Sequence, residues 1–222
     1  MLSCRQVMVG LPAIAAMHAS TAQAVTRCTA VDAQGLQRCV SGLEIGSVQT
    51  VRQRCVEWCW AACIQAIFSL QGREVEQEQA VDKLFGSRTC RSATPSQIMS
   101  VVNGEWIDQY GRRFRARAQA LPSAGLLSST SNTASDISTG LFFNDGAKQI
   151  VAELDSGNPL IIGATGHATV LTAASYAKLS NGVIWLHQLT IRDPWPQSAN
   201  RRELTVAEVR GAFFVAKVWI DR

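Results

Sequence analysis

The stretch Gln53-Arg54-Cys55-Val56-Glu57-Trp58-Cys59-Trp60-Ala61-Ala62-Cys63 runs straight into Ile64-Gln65-Ala66-Ile67-Phe68. It puts Cys59 in the first turn of a strongly apolar predicted helix, with Gln53 six residues upstream. A thiol there faces unpaired backbone N–H groups and the positive end of the helix dipole, and both favour the thiolate that attacks carbonyls. A glutamine so close has a side-chain N–H to offer the oxygen of a carbonyl attacked by Cys59. These residues make half of an acyl-transfer site.

The other half needs a base. Beyond an N-terminal segment read below as cleaved, the chain has two histidines, His167 and His187. His167 follows the turn-forming Ala164-Thr165-Gly166 and opens a predicted strand, which puts an imidazole at a sheet rim. His187 lies in mid-strand between Leu186 and Gln188 and reads as a surface or packing residue. Asp193, in Ile191-Arg192-Asp193-Pro194-Trp195, ends the next long strand. In two antiparallel neighbours one strand's start lies beside the other's end, so His167 and Asp193 are expected on the same rim. A carboxylate there holds the imidazole tautomer and stabilises the imidazolium.

Gln53, the Trp58-Cys59-Trp60-Ala61-Ala62 run, the Gly166-His167-Ala168 strand start and Asp193-Pro194 together resemble the papain-like cysteine peptidases. The likeness is greatest to a compact bacterial branch with this nucleophile motif, and it covers roughly residues 50–222. It implies a helical left subdomain bearing Cys59 and an antiparallel β right subdomain bearing His167 and Asp193. It also implies a Cys–imidazolium pair in the cleft between them, with Gln53 and the Cys59 backbone N–H as the oxyanion hole. Trp195 would shield the His167–Asp193 pair, and Trp58 and Glu57 would lie at the cleft, Trp58 and Trp195 touching substrate. Three features depart from papain itself: the third residue is Asp and not Asn, Glu57-Trp58 precedes the nucleophile, and Cys59 and His167 are only 108 positions apart (167 − 59).

The implied activity is a secreted endopeptidase that hydrolyses protein or peptide substrates as a monomer. No metal or organic cofactor is called for. The rival readings are another thiol acyl transfer, such as a cell-wall amidase or a transglutaminase-like activity, and a disulfide-stapled binding or toxin module with a degenerate site. The Asp-Cys-Ser usual at the nucleophile of cell-wall amidases is missing.

The elements that must position these groups divide the chain. Residues 1–24 read as a signal peptide: Arg5, an apolar run from Val7 to Met17, and a small-x-small site at Ala22-Gln23-Ala24. The apolar run is too short to span a bilayer, so no stable membrane insertion is expected. The mature chain is expected to be secreted, periplasmic or extracellular. Residues 25–50 form an N-terminal arm. Residues 51–125 form a helical subdomain: the nucleophile helix ended by Gly72, an amphipathic helix from Glu74 to Phe85, and a third opened by the capping box Thr94-Pro95-Ser96-Gln97. Leu121–Gly140 is a Ser-, Thr- and Gly-rich linker.

Residues 126–222 form the β subdomain. A short helix runs from Ala147 to Asp155, and strands are expected over 160–164, 167–174, 183–191 and 213–220, with a hairpin turn at Ser180-Asn181-Gly182. The fold class is therefore α+β, with a cleft between a helical and a sheet half.

At 17% charged and 47% apolar residues, the chain is globular and not disordered. Its net charge of +4 is modest. Arg112, Arg113, Arg115 and Arg117 alternate with Phe114, Ala116 and Ala118 into a strand with one wet cationic face, and no nucleic-acid partner is expected. Six cysteines follow residue 24. In an oxidising compartment Cys28 and Cys39 should pair, and Cys90 should close a loop onto the helix start through Cys55 in preference to Cys63. Cys63, one turn beyond Cys59, is expected as a buried free thiol.

Overall fold

The computed structural model describes residues 23–43, 48, 51–121 and 145–221. The expected signal peptide up to Ala22, linker residues 122–140 and the boundary between 125 and 126 lie outside them.

The fold is mixed α/β, built on one antiparallel sheet. Its strands are β1 (Ala24–Cys28), β2 (Leu36–Leu43), β3 (Gly104–Ile107), β4 (Arg113–Ala120), β5 (Leu160–Ala164), β6 (His167–Leu179), β7 (Ile184–Arg192), β8 (Arg201–Glu203) and β9 (Ala212–Ile220). They lie in the order β1-β2-β6-β5-β9-β4-β3, with β7 also on β6 and β8 beyond β7. The helices are α1 (Cys59–Leu70), α2 (Gln77–Phe85), α3 (Pro95–Val102), α4 (Asp145–Asp155) and α5 (Val206–Arg210).

β6 organises the sheet. Its first residues pair with β5 and its later ones with β2, while β7 runs along the opposite edge. β5 is buried throughout because both faces of the sheet are covered. Ile161 packs with α1, α2 and α3, whereas Leu160 and Ile162 pack with Ala147, Ile150 and Leu154 of α4. That alternation is the period-two geometry of a strand read out as two cores.

This differs from a helical half beside a sheet half. The first half of the chain contributes four strands to the same sheet as the second. Residues of the expected N-terminal arm form β1 and β2, joined at the register pair Cys28–Cys39 by a disulfide. β2 approaches β6 so closely that a Cβ on Gly42 would stand 2.4 Å from that of Ala173. The sequence hides these strands because their outer positions are polar and β2, which anchors β1, pairs with the distant β6.

The helices follow their sequence signals. α3 carries the complete Thr94–Gln97 capping box with Pro95 in its first turn. α2 ends at Gly86 in the left-handed conformation. α1 is buried on nearly every side, Trp60, Ile64, Ile67 and Phe68 all being at most 1% exposed. Phe68 meets Trp106 and Phe114 edge-on at 5.0 and 5.2 Å, which seats the helix on the β3–β4 hairpin. Arg113, Arg115 and Arg117 are exposed and Phe114 and Ala116 buried along β4. Arg117 pairs with Asp221 and Arg112 with Asp108, so much of that charge is compensated. His187 is exposed in mid-β7. No helix among the described residues is long and apolar enough to cross a membrane.

Candidate active site

Cys59 is the first residue of α1, and Trp58 before it offers no side-chain cap to the free N–H groups of that turn. The thiol is partly exposed, whereas Cys63 is buried at 1% exposure, and burial pushes the Cys63 thiol well up. Both are unbridged. Cys55 and Cys90 form a disulfide that fastens the 89–91 loop across the start of α1. Two indoles strengthen the staple: Trp58 Nε1 donates to the carbonyl of Thr89 at 2.8 Å and Trp60 Nε1 to that of Arg91 at 3.1 Å.

His167 is set by a tight hairpin. Thr165 and Gly166, at φ +49° and +79°, form the two-residue turn between β5 and β6. A left-handed threonine costs roughly 1–2 kcal/mol. The position is close-packed from below, where a Cβ on Gly211 would meet Thr165 Cγ2 at 2.8 Å. The turn leaves His167 at the head of β6, paired with Ala164. Asp193 directly follows β7, whose Arg192 is opposite Val170 of β6. His167 Nε2 therefore meets Asp193 Oδ1 at 2.8 Å, with Asp193 only 1% exposed.

With Nε2 on Asp193, Nδ1 is the nitrogen left for the Cys59 thiol, which shares the cleft with the ring. Burial opposes the imidazolium, but the hydrogen bonds to Asp193 and Cys59 outweigh it and raise His167 to about 9. Burial likewise opposes ionisation of Asp193, and donors from His167, the Trp195 N–H and Arg202 bring it down to about 2. The pair is thus a carboxylate bound to an imidazolium over a wide pH range.

Cys59, His167 and Asp193 line one cleft of about 410 Å³. Ser92, Ala93, Pro95 and Ile98 form the wall beyond the stapled loop, and Phe213 and Phe214 of β9 form another. Trp195 lines the cleft and meets the His167 ring edge-on at 6.2 Å.

Two expected residues differ. Trp58 is a core residue at 7% exposure, turned inward by its bond to Thr89, and it does not line the cleft. Trp60 and Glu57 line it instead. Gln53 is buried beside the site, its backbone N–H donating to Pro194 O at 2.9 Å. Its amide nitrogen donates to the carbonyls of Cys55 and Val56 at 3.0 and 2.7 Å, and Oε1 has no hydrogen-bond partner. Two carbonyls facing the NH₂ fix its direction, so both amide protons are already engaged.

Arg202 and Glu208 escape a reading of the sequence. Arg202, on β8, lines the cleft and holds Asp193, while Glu208 on α5 holds Arg202. Thr205-Val206-Ala207-Glu208 is a capping signature that would have located α5. Nothing local marks Arg202. No group of three or more His, Cys, Asp or Glu side chains suited to a metal occurs among the described residues.

No family model and no curated protein matches the chain. Among solved structures, the chain is similar to a double glycine motif protease from an AMS/PCAT transporter, crystallised in complex with the leader peptide. The identity is 16%, the match covers 78% of this chain and 90% of that one, and the TM-score is 0.40. What the site does is therefore read from its own geometry.

Proposed function

We propose that the chain is an exported, papain-like cysteine peptidase that hydrolyses peptide bonds through Cys59, His167 and Asp193, with Gln53 beside the oxyanion site. The observation that carries this reading is the convergence of a helix-start thiol with an imidazole bonded to a buried carboxylate in one cleft. His167 Nδ1 already holds the proton given up by the thiol, and the thiolate adds to the scissile carbonyl carbon. The developing oxyanion faces the N–H groups at the start of α1. His167 then gives its proton to the leaving amine nitrogen as the C–N bond breaks, leaving a thioester on Cys59. Water attacks that thioester with His167 as base, releasing the acid and restoring the thiol. Asp193 keeps the ring oriented through both transfers.

Val56, Ala93, Pro95, Ile98 and Phe213 give the cleft a largely apolar lining, which suits an extended peptide bearing apolar side chains. The two disulfides favour an oxidising compartment, periplasmic or extracellular.

The test is treatment of the purified chain with a thiol-directed epoxide, with mass-spectrometric mapping, beside a peptide-library assay. Labelling of Cys59 alone and loss of cleavage in a folded Cys59→Ala variant are expected. Preferential labelling of Cys63, or full cleavage by Cys59→Ala, would overturn the reading.

A further inference from the structure

We infer that Arg202, backed by Glu208, is a positioning residue for the catalytic base: it fixes the plane of the Asp193 carboxylate without weakening the hold of Asp193 on His167. The inference rests on the proposed peptidase site for its activity readout alone.

The geometry begins with the carboxylate. Oδ1 of Asp193 receives His167 Nε2 at 2.8 Å and the Trp195 backbone N–H at 2.9 Å. Oδ2 receives Arg202 Nε at 2.8 Å and lies 2.8 Å from Nη2. Apart from His167 itself, the donors are the Trp195 backbone N–H on Oδ1 and the braced Arg202 on Oδ2, which oppose a turn of Oδ1 away from His167.

Arg202 is itself fully engaged. Nη1 donates to Glu208 Oε2 at 2.9 Å and to the Glu203 carbonyl at 3.1 Å, and Nη2 donates to Glu208 Oε1 at 2.6 Å. With the contacts to Asp193, all five guanidinium N–H groups face acceptors, a match that a lysine ammonium lacks. Glu208 is held in turn, because Oε2 also accepts from the N–H and hydroxyl of Thr205 at 2.8 and 2.9 Å. The five-residue α5 presents this one carboxylate to Arg202.

Charge explains why the second carboxylate is needed. A lone guanidinium on Asp193 would oppose the imidazolium on the far side of the same carboxylate. Glu208, paired in a fork with Arg202, offsets that charge and leaves the series His167, Asp193, Arg202, Glu208 alternating in sign. Among the described residues, the other titratable groups that line the cleft with His167 are Cys59 on α1 and Glu57 ahead of it. Arg52 binds the carbonyls of Trp195 and Ser198 and does not touch the carboxylate oxygens.

The experiment measures three quantities in the full chain carrying Glu208→Gln, Arg202→Lys or Arg202→Met. These are the NMR titration of the ¹⁵N-labelled His167 ring, the pH profile of kcat/KM, and Tm. Glu208→Gln keeps the shape and loses the charge, so the His167 midpoint and the alkaline limb of kcat/KM should fall together by roughly half to one pH unit. Arg202→Met should lower kcat by about 10-fold or more with little change in KM, and Arg202→Lys should recover part of it. If Arg202→Met does not fold, Glu208→Gln still decides. A Tm loss with an unmoved His167 midpoint in Glu208→Gln would reduce the pair to a structural clamp and overturn the inference. A shifted midpoint in a chain that cleaves no peptide would uphold the positioning role and overturn the peptidase reading instead.

Discussion

The backbone N–H of Gln53 donates to the carbonyl of Pro194 at 2.9 Å, tying the segment that enters the nucleophile helix to the turn that carries Asp193. Arg52 repeats the tie one residue earlier, its Nη1 reaching the carbonyls of Trp195 and Ser198. The thiol side and the base side of the cleft are thus joined directly, by one backbone bond and one guanidinium, as well as through the packing of α1 on β6.

Asp193→Asn should separate orientation from charge. The amide still bonds to the ring, but the negative charge that raises His167 is gone. A fall in kcat of about 10²- to 10⁴-fold is expected, with the alkaline limb moving from near 9 toward the ordinary histidine value of 6.5. A pH–rate profile checks it, and an unmoved limb would contradict the charge assignment.

The two tryptophans should behave in opposite ways. Trp58→Ala removes a buried indole and its bond to Thr89, so a stability loss of about 3–5 kcal/mol is expected. Trp195 is only partly buried, so Trp195→Ala should leave Tm nearly unchanged and alter kcat by exposing the His167–Asp193 pair to water. Urea melts beside steady-state kinetics distinguish the two.

Removing the Cys55–Cys90 bridge frees the loop that walls the cleft. For a sequence separation of 35, the loop-closure contribution is about 3–4 kcal/mol. A Cys55→Ser, Cys90→Ser double variant should lose that much stability in denaturant titration. Its KM should rise, because Ser92 and Ala93 line the cleft beyond the released loop.

Stability should peak in mildly acidic buffer. Asp193 and Glu208 are both held near 2, below their ordinary 3.8 and 4.5, so their stabilisation is full above those values and lost as pH falls through about 2. His167, held near 9 against 6.5, acts in the other sense: its contribution is full below 6.5 and lost as pH rises through about 9. A Tm series across pH should therefore peak between about 4.5 and 6.5 and decline on both sides.

The parts of this molecule legible in its sequence are those with local causes. The nucleophile helix, the Thr94–Gln97 capping box, the Ser180–Gly182 turn and the strand starting at His167 all follow from neighbouring residues. The meeting of His167 and Asp193 follows from one hairpin and needs no long-range knowledge. β1, β2 and Arg202 have their causes elsewhere in the chain: β2 pairs with the far half of β6, and Arg202 reaches a carboxylate nine residues back only because β8 folds onto β7. Trp58 adjoins Cys59 in sequence yet faces inward, since the residue that turns it, Thr89, is 31 positions away. The direction of the Gln53 amide was hidden for a subtler reason, being set by the carbonyls of the turn that it precedes.

The tie between Arg52 and the Asp193 loop joins residues 141 positions apart. A newly made chain carries Cys59 long before it carries His167, Asp193 or the strands that hold them. Until β7 and β8 are in place the thiol has neither His167 nor Asp193 beside it, so on the proposed reading a partly made chain lacks the peptidase site. On that reading, closure of the sheet around β7 and β8 is the step that completes the site.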